Sequence, residues 1–256
     1  YSEGLTSLIG TRILLKSVPA AFKERASTNK TAHADFGFSS TRMMSYKSIW
    51  LFYWPLVLTS FLKTLNIPVI NAGLGQSLQP DIAISTYSVA WGLSSMFTIP
   101  LGTFHQVPIN FMKDEASREA VKRHAIILGV VFSLISAVIG FTKIGLIILT
   151  VWIGVEEQIA FLALDVLKIA CVLPLIIIMS QLLMGMLIKS HMTKPISGGK
   201  IINLITLAVM IIVLIFFKPY NTAIIGIMAT VSAETAELLY IFFSSRKYFK
   251  IAEAGI

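Results

Sequence analysis

Two carboxylates, Glu234 and Glu237, stand three residues apart in the stretch VSAETAELLY at residues 231–240, inside a strongly apolar run. A charged side chain near the centre of a bilayer costs about 2.5–3.5 kcal/mol on insertion scales, so it faces a cavity or a partner. Residues three apart share a helix face, so both acids can point into one interior. Two close carboxylates in a low-dielectric setting form a candidate proton site. The alternative is structural: pairing with a Lys or Arg of another helix, or hydration near an interface. Lys63, with Asn66 at i+3 and Asn71 beyond it, could line the same interior and contact an anionic group. It could equally snorkel or, the reading preferred here, neutralise the acids, because a buried acid pair needs a cation. His105, Gln106 and Asn110 lie at or between Pro100 and Pro108 and beyond. There, helix breaks are tolerated where they line a cavity, so these side chains are candidate gate or substrate contacts. Gln181 and Asn203 fit interhelical hydrogen bonds better than ligand contacts.

The elements that must position these groups follow from composition. Of 256 residues, 55% are hydrophobic and only 13% charged, about half the charge of a soluble domain. Several apolar runs approach or exceed the roughly 20 residues that cross a bilayer core. Six spans are expected, at about 49–70, 82–112, 125–152, 159–188, 201–217 and 222–244. Trp50, Tyr53 and Trp54 sit where an interfacial aromatic belt would, and the long second span is expected to kink, tilt or extend beyond the bilayer. Most basic residues fall in alternate connections. These are Lys113, Arg118, Lys122 and Arg123, then Lys189, Lys194 and Lys200, and at the ends Lys16 to Lys47 and Arg246 to Lys250. Residues 71–81 and 154–158 carry none. The positive-inside rule therefore expects both ends cytoplasmic. The fold class is all-α, a six-transmembrane-helix bundle.

The net charge of +8 sets topology here and does not indicate nucleic acid. Asp165 and Lys168 read as a local i, i+3 ion pair, Lys143 as snorkelling or interior, and residues 113–124 as an amphipathic cytoplasmic turn that can lie on anionic lipid. Cys171 is the only cysteine, so no intrachain disulfide or cysteine metal site is expected. No phosphate loop, metal spacing or nucleophile elbow occurs. An enzyme and a cofactor are accordingly not expected.

The first span, YWPLVLTSFLKTLNIPVINAGLG at residues 53–75, resembles the opening helix of a half in the multidrug/oligosaccharidyl-lipid/polysaccharide exporter superfamily. Within it, the WPL opening and general spacing look most like the second half of multidrug and toxin extrusion transporters or of the progressive-ankylosis family. Extrusion transporters often carry an acid near the end of this helix, where Ile70 and Asn71 stand, which puts cation coupling through that position in doubt. The resemblance implies one lobe of a twelve-helix two-lobed carrier working by alternating access. On that reading residues 1–18 are the tail of a preceding transmembrane helix and 19–47 a cytoplasmic linker. Residues 48–250 are the six-helix lobe and 251–256 a C-terminal tail. Glu3 and Arg12 echo Glu237 and Arg246 in spacing, as an internal repeat would. The expected function is a secondary active transporter or flippase for a small-molecule or lipid-linked substrate, coupled to H⁺ or Na⁺. Its partners would be membrane lipids and an N-terminal lobe of the same protein, in the plasma (inner) membrane. A non-transporting membrane assembly or scaffolding subunit is the alternative.

Overall fold

The computed structural model describes residues 46–190, 192–217 and 219–254, and they are helical almost throughout. In chain order the helices are α1 (Tyr46–Thr64), α2 (Asn66–Leu74), α3 (Pro80–Gly102), α4 (Gln106–Phe111) and α5 (Glu115–Phe141). They continue with α6 (Lys143–Ile147), a π-helical turn (Ile148–Trp152), α7 (Glu157–Ala170), α8 (Leu173–Lys189), α9 (Lys194–Phe217) and α10 (Ala223–Ala254). The expected tail at 1–18 and nearly all of the expected linker lie outside the described residues. α1 begins at Tyr46, slightly before the expected start of the lobe, and α10 continues into the expected C-terminal tail.

Three of the helix breaks have one cause. Proline has no N–H, so the carbonyl four residues earlier loses its partner and the ring crowds it. Pro68 frees the carbonyl of Thr64, where α1 ends; Pro108 frees that of Phe104, between α3 and α4. Pro174 frees that of Ala170, where α7 gives way to α8 with a bend of 40°. Pro100 is accommodated inside α3. Two of the helix pairs so formed, α1–α2 and α3–α4, and the single helices α5, α9 and α10 supply five membrane-length spans, or six when the bent α7–α8 pair counts as one. The kinked second span expected from its prolines is thus present.

The bundle is apolar on the outside. On α5 the exposed side chains include Ile127, Val130, Val131, Leu134, Ile135 and Val138, whereas Ala125, Gly129, Ser136 and Gly140 are buried. Small residues at the helix contact and large aliphatic ones outward are the arrangement a lipid solvent selects, because burial of Leu in lipid costs nothing. Trp50 and Trp54 are exposed and stacked, with ring centroids 5.7 Å apart, just before the apolar window of the first span, which starts at Val57. α10 packs along α9 and also touches α8, α7, α3 and α2, while α5 covers α7 and α8.

The third expected span, 125–152, is too long. α5 stops at Phe141, and Thr142 takes an extended conformation in which its hydroxyl accepts from the Ile144 N–H, starting α6. Gly145 lies so close to the Ile139 carbonyl that a side chain at 145 would collide with it, so the short helix packs tightly against the end of α5. Lys143 is therefore an exposed residue two positions past the end of the span, which overturns the interior reading of it. In sequence this turn is marked only by the short polar pair Thr142 and Lys143 and by the local Thr142 cap. Asp165 and Lys168 make the expected i, i+3 pair, at 2.9 Å.

Candidate functional site

The site begins with the approach of α9 to α10. A Cβ added at Gly198 would stand 2.5 Å from the Tyr240 hydroxyl, and one at Gly199 would be 3.0 Å from Ile241. Two glycines therefore let the helices close up one turn below Asn203. Lys200 and Asn203 occupy i and i+3 on α9, facing Glu234 and Glu237 at i and i+3 on α10. These two matched pairs form one polar cluster between otherwise apolar helices.

Lys200 Nζ lies 2.7 Å from both carboxylate oxygens of Glu237, donating its hydrogen bond to Oε2. Asn203, 2% exposed, donates from Nδ2 to Glu237 Oε2 at 2.8 Å and to Glu234 Oε1 at 3.2 Å. Its Oδ1 accepts from Asn66 Nδ2 at 3.2 Å. Asn66 opens α2 just after the break caused by Pro68, so the network joins the broken first span to α9 and α10. Glu237 is 0% exposed, whereas the Lys200 side chain retains 13% exposure. An unpaired charge in such a place costs several kcal/mol, and the lysine and the amide remove that cost.

In front of this cluster is a cavity of about 350 Å³. Its charged and amide lining is Lys63, Asn66, Gln181, Lys200 and Glu234. Tyr87 and Trp91, stacked at 6.1 Å, form part of an aromatic wall, and the Tyr87 hydroxyl meets Thr230 at 3.4 Å. Lys63 and Asn66 flank one proline break and Gly102 and Thr103 adjoin another. Two broken helices thus open onto the same space, the setting in which irregular backbone is tolerated at membrane depth.

Of the residues singled out from sequence, Lys63, Asn66 and Glu234 line the cavity, and Glu237 lies behind Glu234. Asn71 is half-buried further along α2, off the cavity wall. His105 stands between α3 and α4; its Nδ1 meets Gln181 Oε1 at 2.9 Å, and Gln181, not His105, reaches the cavity. Gln106 and Asn110 are exposed on α4, where Asn110 Nδ2 donates to the Gln106 carbonyl at 2.9 Å. The cation on Glu237 is Lys200 and not Lys63, which corrects the neutralising role expected of Lys63. Lys200 was assigned to a cytoplasmic connection, yet α9 begins at Lys194 and carries it into the bundle. The signal for it was the repeated i, i+3 spacing behind Gly198 and Gly199. Asn203 does bridge helices, as expected of an intramembrane amide. Among the described residues no cluster of three or more His, Cys, Asp or Glu could hold a metal.

A chain whose described residues are almost all helical, with membrane-length apolar spans, outward-facing aliphatics and a polar interior cavity, is a multi-pass membrane protein. A family model described as "Progressive ankylosis protein (ANKH)" matches residues 38–233. The chain belongs to that family, which is membrane-transport related. Of the two families named from the first span, this is the one that the match supports. The matched segment ends one residue before Glu234. No curated protein and no solved structure matches the chain.

Proposed function

We propose that this chain is a lobe of a secondary active carrier or flippase that moves an organic or lipid-linked substrate by alternating access, coupled to H⁺ or Na⁺. The observation that carries the reading is the Lys200–Glu237–Asn203–Glu234 cluster on the wall of a cavity built at two helix breaks. Charges are placed in a bilayer interior at a cost, and a packed bundle alone does not require a cavity beside them. Lys63 and Lys200 on the wall favour an anionic substrate, and Trp91 and Tyr87 favour one with an apolar or planar portion. Glu234, which faces the cavity, and Glu237 behind it would carry the coupling cation.

The basic residues Lys113, Arg118 and Lys189 line one surface pocket at the start of α5 and the end of α8. They support an orientation with that end, and both chain termini, in the cytoplasm. In the chemistry proposed, substrate and ion are bound and released unchanged, so the protein is a carrier rather than an enzyme.

Flux into proteoliposomes tests this reading. Replacing Glu234 and Glu237 together with Gln should abolish flux driven by an imposed H⁺ or Na⁺ gradient; undiminished flux would sink the coupling role. The complete burial and pairing of Glu237 favours one second reading, a non-transporting assembly or scaffolding subunit. In that case the same double variant lowers stability and no gradient-driven flux exists to lose.

A further inference from the structure

Lys200 is shared between two environments. It holds Glu237, which is sealed from the cavity, and it also forms part of the cavity wall. Glu237 has no second cation within ion-pair distance among the described residues. The charged and titratable groups on the elements around it are few. They are Lys194 and Lys200 on α9, Glu234 and Tyr240 among the described side chains of its own helix, and Asp81 and Tyr87 on α3, with Tyr87 committed to Thr230. On α7, Glu157 stands in the first turn and Asp165 and Lys168 are paired with each other; Lys189 ends α8, and Lys63, in the helix preceding α2, stands on the cavity wall.

We infer that Lys200 is a partner-exchanging switch: an anionic group entering the cavity draws its ammonium away from Glu237, and the vacated carboxylate takes up one proton from water. This rests on the reading of the cavity as a site for an anionic substrate. The charge balance argues for it. Before loading, ammonium and carboxylate cancel; afterwards the ammonium cancels the substrate anion and the protonated carboxyl is neutral. Both states put the same net charge into the bilayer interior. Loading without the proton leaves a bare carboxylate at a fully buried position, which costs several kcal/mol. The geometry provides the asymmetry required, since the lysine reaches the cavity and the acid does not. Asn203, which donates to Glu237 Oε2 at 2.8 Å, remains beside the carboxyl in either state through its amide N–H. One proton would then be bound for each negative charge loaded.

The test uses the protein in lipid nanodiscs and benzenesulfonate, whose charge is fixed across the working pH range and whose ring suits the Trp91 wall. Calorimetric titration in two buffers of different ionisation enthalpy reads the protons exchanged on binding. The expected result is uptake of one proton per anion bound, together with a new infrared carbonyl band of a protonated carboxyl. Glu237→Gln should bind the anion with both signals lost, and Glu234→Gln should retain them. Binding with no proton uptake in the wild-type protein overturns the switch while leaving an anion carrier standing. Uptake that persists in Glu237→Gln, or vanishes only in Glu234→Gln, also overturns it. Absence of binding at millimolar benzenesulfonate removes both the switch and the anionic reading of the cavity. Should Glu237→Gln not fold, the infrared band and its persistence in Glu234→Gln decide the matter.

Discussion

Lys200 and Glu237 face each other across α9 and α10 with the ammonium 2.7 Å from both carboxylate oxygens, and the acid is fully buried. The pair sits beside a close helix contact at Gly198 and Gly199, where an added Cβ would crowd Tyr240 and Ile241. Stability and proposed transport therefore meet at one place.

Removing one member of this pair leaves the other buried and unpaired, which costs about 3–5 kcal/mol. Lys200→Met is expected to lower the thermal unfolding midpoint in detergent markedly. Adding Glu237→Leu to it should restore much of the loss, because an apolar pair of similar volume avoids the desolvation cost. A double variant as unstable as the single one would show that the charges are not the source of the effect.

Asn203 makes bonds to Glu234, Glu237 and Asn66 from a 2% exposed position. Asn203→Leu keeps the branched side-chain shape and removes all three, and each unsatisfied buried partner costs about 1–3 kcal/mol. Unfolding should shift accordingly, while Asn71→Leu, off the cavity wall, should have a smaller effect.

Gly185 on α8 lies where an added Cβ would stand 2.5 Å from the His105 carbonyl and 2.9 Å from Pro108. The obstacle is backbone and ring, which cannot rotate aside, so Gly185→Ala is expected to cost about 1–3 kcal/mol through overpacking. Gly92→Ala, which meets nothing within 4 Å, is the control and should be neutral or mildly stabilising.

At the start of α5, the Ser117 hydroxyl and then its backbone N–H hold the Asp114 carboxyl below its ordinary value of 3.8. The capping contribution is fully present above that ordinary value and is lost as pH falls through the depressed one. An NMR titration of the exposed Asp114 carboxyl should show a midpoint below the ordinary value that moves back toward it in Ser117→Ala. An unchanged midpoint would contradict the capping box.

Much of the architecture was legible because lipid imposes long apolar runs, and because prolines mark the second span as interrupted; the breaks that Pro68 and Pro174 impose fall inside spans expected to be continuous. The turn at Thr142 was not legible either, since apolar residues resume directly after Lys143 and a local hydroxyl cap separates α5 from α6. Glu234, Asn66 and Lys63 could be proposed for the cavity because polar groups inside apolar runs are conspicuous. Lys200 escaped notice because it lies near the α9 terminus, where a topogenic lysine and an interior one look alike in sequence. His105 was conspicuous for the same reason as the acids, yet a three-dimensional contact, Gln181 Oε1 at 2.9 Å, decides what it touches.

The central claim is that the cavity beside Lys200 and Glu234 serves transport and opens alternately to the two sides of the membrane. The most direct measurement places a single cysteine at Thr98, on the cavity wall, in a background without other cysteines. Labelling by a membrane-impermeant maleimide is then followed from each face of reconstituted vesicles. Alternating access requires labelling from both faces, in a ratio that changes when an H⁺ or Na⁺ gradient is imposed. Labelling from one face alone, at a rate indifferent to any gradient, would contradict it.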